Sequence, residues 1–554
     1  MDERRRALPF VLAGALAGAA AADLLIGLNP DLLAPLAALR ALTVLSAFGA
    51  VLGAPLAWLS RRPATRGATL ILAVLLGLGA AFVETQRRLA LDFVPAGARR
   101  VLVAAALVLA VGAALLGAAA SARRAPAGPL AAVLALLLLA PLAGRRAAGR
   151  PALASPVALP RAARRSLLVI GIEGASWDLL TAYASEGALP TIERLLRQGA
   201  AGPLASLAPY DRAALWTSAA TGKKPAKHGV VSAFRREALS GTYRYLPVVP
   251  GLGRLVPPFG RWVREDGQRR RSLTFWEILD ARGHECAVLD WPASAPAKTG
   301  PLLWATDRFF EGDAEGSAAS PPEASRRARL FRVPAESLDR PLVRALVPEG
   351  LPDGPERREP LVAAARDLSV VGASLGALPA GPNNVAALVL SGLATAARLF
   401  GGAGDARYWG LAAPHGAEAR ARALKAYYRF LDDTLADVLE REGQDRTICL
   451  FAPVGWGPPS TAEAVLRFLR GRAPESGPDA SRDGFVILAG AGVRSGARLT
   501  SAGVLDLAPT LLVLAGEPLA RDMDGRLLSE AFDERFAESS SVPLVRTFEP
   551  DGPQ

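Results

Sequence analysis

Histidine, cysteine, lysine and methionine are scarce in this 554-residue chain, which holds three His, two Cys, five Lys and two Met. Two cysteines exclude a disulfide-stapled scaffold. Both lie in apolar, strand-like runs, Cys286 in CAVLDW and Cys449 in TICLF, where a packed thiol is expected. Three histidines leave little imidazole for any metal centre. With so few lysines, the net charge of +12 is carried by arginine. These arginines crowd the ends of apolar segments and the stretch Gly144–Arg165, so membrane lipid headgroups are the expected partner. No aromatic–basic repeat or binding motif is present, so no nucleic acid is expected.

The apolar residues are concentrated in residues 1–143, where Ala, Leu, Val and Gly dominate. A membrane-crossing helix needs about 20 such residues. Five stretches qualify as spans: Leu8–Leu28, Leu42–Leu59, Ala68–Val83, Val101–Ala120 and Pro129–Ala143, of which the third and fifth are short enough to leave four as the alternative. MDERRR before the first stretch resembles the start of a signal peptide, but further spans follow it. Arg4, Arg5, Arg6, Arg61, Arg62, Arg66, Arg123 and Arg124 fall on one side of such a bundle. Arg87, Arg88, Arg99, Arg100, Arg145, Arg146 and Arg150 fall on the other, a near-even tally that does not orient it. Asp23, Arg40 and Glu84 are the main polar residues in the spans and stand near their ends, where snorkelling accounts for them.

Beyond an Arg/Pro-rich linker at 144–165, strand-type and helix-type periodicities alternate. SLLVIGI, HECAVLDW, NNVAALVLSGL, TICLFAP and DGFVILAGAG read as strands. WDLLTAYASEGALPTIERLLRQG, FWEILDARG, AEARARALKAYYRFLDDTLADVLEREG, TAEAVLRFLRG and VLDLAPTLLVLAG read as helices. The pattern predicts an α/β domain over 166–535, with a largely parallel sheet flanked by helices on both faces, and a tail at 536–554. In such sheets reactive groups gather at the carboxyl ends of strands, where Glu173 stands. Two segments, 234–272 and 307–360, are rich in Arg, Gly and Pro with little periodicity and read as insertions.

Five ordered segments carry a family resemblance: VIGIEGASWDLL, LPTIERLLRQGAAGPLASLAP, ALWTSAATGKKPAKHGV, TFWEILDARGHECAVLDWPASAP and VLDLAPTLLVLAGEPLARDMDGRLL. They are similar to the type I phosphodiesterase/nucleotide pyrophosphatase branch of the alkaline-phosphatase superfamily. That resemblance implies two divalent ions, usually zinc, about 4 Å apart, which activate a hydroxyl nucleophile and stabilise the leaving oxygen.

Carried over position by position, the resemblance implies a site whose chemistry has been removed. The first ligand, an Asp in a GIDG-like turn, corresponds to Glu173. The nucleophilic Thr or Ser, four residues before Trp216, corresponds to Arg212, which has no hydroxyl to form a phosphorylated intermediate. An Asp and a His four apart correspond to Ala394 and Arg398, and the Asp-His of an SDHG turn to Pro453 and Val454. The last His falls at Ala480 or Ser481. His228 and His284 lie in matched segments where the family places no ligand, and His415 in an unmatched loop. No acidic cluster has the spacing of an all-oxygen magnesium or calcium site.

Packing explains much of what remains: Gly174 and Gly222 for turns, Trp177, Trp216, Trp276 and Trp291 for core, Pro292 and Pro509 for loop geometry. Lys223, Lys224 and Lys227 form the single lysine cluster, read first as a solvated loop and second, with Arg212, as contacts for an anionic ligand. Three functions compete. The first is a degenerate, catalytically inactive member that binds a protein, glycan or anionic lipid at the membrane, with no cofactor. The second is an active metal-dependent phosphodiesterase or phosphotransferase with a rebuilt site and zinc or another divalent metal. The third places the function in the helical part, as a carrier or assembly module. The Ala- and Arg-rich, Lys-poor composition points to a bacterial source. Five spans from a cytoplasmic N-terminus put the α/β domain outside the cytoplasm.

Overall fold

The structure is a computed structural model that describes residues 3–29, 32, 35–59, 66–89, 91–122, 127–144, 165–208, 210–239, 241–243, 261–264, 267, 270–298, 300–311, 318–377, 384–401, 416–442, 446–457, 477–479, 483–534, 536 and 542–549. The chain divides into two compact units, one of residues 1–150 with 231–265 and the other of residues 151–230 with 266–554.

In the first unit the helices are α1 (Glu3–Leu28), α2 (Pro35–Leu59), α3 (Arg66–Leu89), α4 (Ala96–Ser121) and α5 (Ala127–Leu139). Among the described residues three stretches are long and apolar enough to cross a membrane: Leu8–Leu28, Thr69–Arg88 and Ala96–Ser121. Pro35–Val51 and Ala127–Ala143 are shorter apolar helices. α3 continues past the apolar stretch because Glu84 accepts hydrogen bonds from Arg87 and Arg88, one turn on, at 2.7–2.8 Å. α1 and α2 meet backbone to backbone: a Cβ on Gly18 would stand 2.0 Å from the Leu45 carbonyl oxygen, and one on Gly49 would stand 2.1 Å from that of Gly14. Small residues at such a crossing let two membrane helices approach closely. Ile71, Val74, Leu75 and Leu78 on α3, and Leu107 and Val111 on α4, stay exposed, as side chains that face lipid do. Asp23 does not reach a helix end by snorkelling. It is fully buried in this unit, and neither carboxylate oxygen has a hydrogen-bond partner among the described residues.

The second unit is built on a ten-stranded sheet. Its first strands are β1 (Leu167–Ile172) and β2 (Ala200–Ala205). The segment expected as the first insertion holds β3 (Phe234–Ala238), β4 (Gly241–Tyr243) and β5 (Arg261–Arg264), a separate antiparallel sheet that groups with the helical unit. β6 (Glu285–Trp291), β7 (Leu303–Thr306), β8 (Ala319–Ser320), β9 (Asn384–Leu390) and β10 (Thr447–Ala452) return to the main sheet. Across it the order is Ala497–Arg498, β2, Gly484–Ala489, β10, β1, β9, β6, β7, β8, and the tenth strand, Ala502–Gly503, also pairs with β2. β10, β1, β9, β6 and β7 are mutually parallel, whereas Gly484–Ala489 runs antiparallel to both its neighbours, which makes the sheet mixed at that side.

β1 is buried along its whole length, and its alternation sorts Leu168, Ile170 and Ile172 into one core and Leu167 and Val169 into the other, one on each face of the sheet. Gly171 breaks the run of large residues for a reason: a Cβ there would lie 2.4 Å from the ring of Trp216. Trp216 in turn packs edge-on against Trp291 at 5.4 Å between ring centroids and accepts, at its carbonyl, the Trp291 indole N–H at 3.1 Å. Trp276 joins them, while Trp177 stacks on Phe485. Gly222, with φ of +66°, ends the helix Arg212–Thr221 and lies against Pro509.

Two expectations change in detail. The helix expected across Trp177–Gly199 is two helices, Trp177–Ser185 and Pro190–Gln198, because Gly187 takes φ of +71° and Pro190 starts the second. The segment 307–360, expected as an aperiodic insertion, carries edge strand β8, the helices Pro322–Arg329 and Arg340–Leu346, and the start of the helix Pro355–Ala377. The helix expected at TAEAVLRFLRG lies outside the described residues, as do Ala480, Ser481 and His415.

Candidate functional site

β1, β9 and β10 run parallel and end together, so the residues just past them share one edge of the sheet. Glu173 follows β1, and its backbone N–H donates to the Leu390 carbonyl at the end of β9, 3.0 Å away. Gly174 has φ of +91°, and a Cβ there would stand 2.4 Å from the Cα of Ala394. The turn after β1 therefore passes directly against the first turn of the helix Gly392–Phe400, and only glycine permits it. Pro453 and Val454 follow β10, with Val454 buried in the same cluster as Trp216 and Phe451.

Arg212 opens its helix, capped by Asp211, whose carboxylate accepts the Ala214 N–H at 3.1 Å. Its Nε donates to Glu173 Oε1 at 2.7 Å, with the Glu173 side chain 8% exposed and that of Arg212 31%. Burial works against the guanidinium charge, but Glu173, with Asp290 and Asp307 beyond it, outweighs burial and raises the Arg212 pKa. Beside them burial, reinforced by the Glu173 charge, pushes the Tyr210 phenol up, so its hydroxyl stays protonated.

The structure adds residues that the strand-end reading of Glu173 missed. Asp290, at a bulge near the end of β6, is fully buried with φ of +57°. Arg366 donates to both its carboxylate oxygens, at 3.0 and 2.6 Å, and to the Asp307 carbonyl at 3.0 Å. Burial raises the Asp290 pKa to about 6 even against Arg366. Asp367, the next residue, accepts the Gly392 N–H at 3.1 Å and the Tyr427 hydroxyl at 3.0 Å, and burial lifts its pKa to about 7. The signal in the sequence was the LDW ending of β6, an acid at a strand's carboxyl end like Glu173. Arg366 gave none, because its helix begins inside a segment without clear periodicity.

Next to this network a groove of about 710 Å³ opens between the helix Pro355–Ala377 and the end of β9. Arg358, Glu359, Arg366, Ser391 and Thr395 supply its polar lining. Arg398, one turn past Ala394, pairs with Glu359. The structure thus brings Glu173, Arg212 and the Ala394 backbone together and turns Arg398 toward the groove's Glu359.

The lysine cluster is engaged from within the chain. Lys223 is buried and pairs with Asp522 and Glu549, each at 2.5 Å, while Lys227 pairs with Asp524 at 2.7 Å. The Lys224 backbone N–H donates to Asp524 at 2.9 Å. Lys223 and Lys227, two of the residues expected as contacts for an anionic ligand, thus each pair with carboxylates of the C-terminal segment. His228 is structural: its Nδ1 accepts the Val230 N–H at 3.2 Å and its Nε2 meets the Ser218 hydroxyl at 3.0 Å. Burial, aided by Arg270 and Lys223, lowers its pKa to about 3 and keeps it neutral. His284 meets Glu517, which also takes Arg282. Both cysteines are free and buried.

A parallel strand-turn-helix edge over a mixed α/β sheet is the frame of the alkaline-phosphatase-like phosphoesterases. Residues 167–461 match the family Type I phosphodiesterase / nucleotide pyrophosphatase, and the chain belongs to it. Among solved structures, the alkaline phosphatase PafA is 14% identical with a TM-score of 0.45, covering 68% of this chain and 100% of its own. A phosphonate monoester hydrolase from Silicibacter pomeroyi is 15% identical with a TM-score of 0.39, covering 66% and 76%. Murine ectonucleotide pyrophosphatase / phosphodiesterase 5 is 10% identical with a TM-score of 0.35, covering 65% and 97%. No curated protein matches the chain.

At the positions that the resemblance assigns to the paired divalent metal, the side chains are a carboxylate held by a guanidinium, a methyl, a second guanidinium, a pyrrolidine and an isopropyl group. Among the described residues no group of three or more His, Cys, Asp or Glu is arranged to hold a metal ion.

Arg212→Ala strips a buried carboxylate of its cation and costs about 3 kcal/mol, the low end for breaking a buried pair, because Arg212 is partly exposed. In thermal unfolding Glu173→Gln combined with Arg212→Ala should lose less than the sum of the single changes, and strict additivity would show that the pair does not hold. Asp367, raised from its ordinary 3.8 to about 7, binds a proton in the folded chain that the unfolded chain has released. Its stabilisation is therefore full below pH 3.8 and is lost as pH rises from there to about 7. The stability of the wild type relative to Asp367→Asn should fall across that window, and a difference that stays flat with pH would contradict the burial of this carboxyl.

Proposed function

We propose that this chain is a membrane-anchored member of its family that has left metal-dependent phosphoester chemistry and works as a binding or scaffold domain at the membrane, with no cofactor. One observation carries the reading: the Arg212 guanidinium sits on Glu173, where the family places a hydroxyl nucleophile beside a metal ligand. The pair matches a cation to the carboxylate without a metal and puts a guanidinium, which has no hydroxyl, where the resemblance expects the nucleophile. The groove of Arg358, Ser391 and Thr395 is the place for a ligand's polar group, on a protein, glycan or anionic lipid.

Purified full-length protein should contain no stoichiometric zinc or other divalent metal and should not turn over a generic phosphodiester. Bound metal together with turnover that disappears in Glu173→Ala would establish the alternative, a rebuilt and active phosphodiesterase. We further propose that five spans place the α/β unit outside the cytoplasm of a bacterial inner membrane. A reporter active only in the periplasm, fused after Gln554, should be active, and activity of a cytoplasm-specific reporter at the same place would reverse this topology.

A further inference from the structure

The small sheet β3–β5 belongs with the membrane helices rather than with the α/β unit from which the chain enters it. Arg40, near the start of α2, donates from Nε to the Leu239 carbonyl at 2.8 Å, and Ala238 packs against the α1/α2 cluster of Ala22, Leu25 and Leu42. The sheet is therefore fixed to the end of the bundle where α1 gives way to α2.

Register defines what its faces carry. Phe234 pairs with Arg264 and Arg236 with Trp262, so Phe234, Arg236, Ala238, Trp262 and Arg264 share one face. This is the face whose Ala238 end rests on the helices. Phe234 is 51% exposed, Trp262 50% and Leu239, at the turn, 62%. The Arg236 guanidinium stacks over the Trp262 ring at 5.5 Å from its centroid. On the opposite face Glu237 accepts from Arg235 and Arg261, and Arg261 remains 80% exposed. Arg236 is buried beneath the Trp262 ring and Arg235 is mostly buried against Glu237, so the basic groups the sheet presents outward are Arg261 and Arg264, beside an exposed aromatic pair and a leucine.

We propose that β3–β5 is a membrane-interface contact, which seats Phe234, Trp262 and Leu239 at the headgroup level of the bilayer and Arg261 and Arg264 on anionic lipid. Indole rings partition to the interface because one edge is polar and the body apolar. Arginine stems lie along apolar surface while the guanidinium reaches phosphate. Each basic residue beside an anionic leaflet favours it about fivefold, so the charge excess selects lipids of that class. The sheet's attachment to the membrane helices places it beside a bilayer, where neither a soluble anion nor a distant partner is needed to satisfy it. This assignment is independent of whether the α/β unit is catalytic.

The test uses the full-length protein in lipid nanodiscs, with Leu239→Cys labelled by an environment-sensitive fluorophore. Cys286 and Cys449 are buried and do not compete for label, and the Arg40 bond survives because it uses the backbone carbonyl. The expected result is a blue-shifted label, quenched by nitroxide-bearing lipid and protected from aqueous iodide, with quenching greater in discs containing phosphatidylglycerol than in phosphatidylcholine alone. Arg261→Glu with Arg264→Glu should cancel that difference, and Trp262→Ala should reduce quenching in both lipids. Emission quenched by iodide and not by nitroxide lipid would overturn the proposal. So would a blue shift that neither quencher reaches, which assigns the face to a protein partner. Equal nitroxide quenching in the two lipids, unchanged by the arginine substitutions, would overturn the anionic-lipid assignment.

Discussion

Glu173 is a buried carboxylate at the carboxyl end of a central strand, and a charge in that position must be met by an opposite one. Arg212 meets it, and the local architecture follows from the need to bring the two together. The helix must begin at Arg212 so that its first side chain reaches back over the sheet edge, and Asp211 fixes that start as the N-cap. Gly174 must take a left-handed conformation so that the turn clears Ala394. Asp290 beneath is neutralised in the same way by Arg366. Two guanidinium groups, Arg212 and Arg366, thus each meet one buried carboxylate at this edge.

Much of the frame could be read from residues alone. The all-apolar run of β1 implied a strand buried on both faces, and the LDW, LVLSG and LFAP endings located the strand termini. The readings that changed did so for physical reasons local to a few residues. Gly187 and Pro190 split one amphipathic stretch into two helices, since the period of 3.6 carries across a short break and conceals it. The Glu173–Arg212 contact spans 39 positions and depends on where α/β packing places a helix start, which periodicity does not report. Arg366 reaches Asp290 across 76 positions, from a helix whose first turns look like an insertion. The lysine cluster looked like an open cationic loop because its carboxylate partners, Asp522, Asp524 and Glu549, arrive from the far C-terminal segment.

The helical unit shows a different division of labour. Glycine lets α1 and α2 touch, leucine and valine cover the outward faces, and arginine is reserved for the ends. Arg40 uses its charge to hold a segment that leaves the α/β unit at Val230 and returns to it at Asp266. Asp23 is the exception to this economy, since its carboxylate is buried with no hydrogen-bond partner among the described residues. A group so costly in an apolar setting persists only where the surrounding packing fixes it.

Because Glu173 and Arg212 compensate one another, a change to either one alone leaves a charge at this edge unmet. Replacing Arg212 with threonine would supply a hydroxyl there, at the position the resemblance assigns to the nucleophile, but it would also remove the cation that meets Glu173. A metal could take over that charge only with further ligands, and Ala394, Pro453 and Val454 offer none. Pro453 and Val454 are buried, so polar replacements there would have to find partners within the core or lose stability. Gly171, Trp216 and Trp291 interlock behind the same edge, where added volume has no room to go. The fold therefore holds the present set of residues as a unit, with the Arg212–Glu173 salt bridge closing the sheet edge in front of that interlocked core.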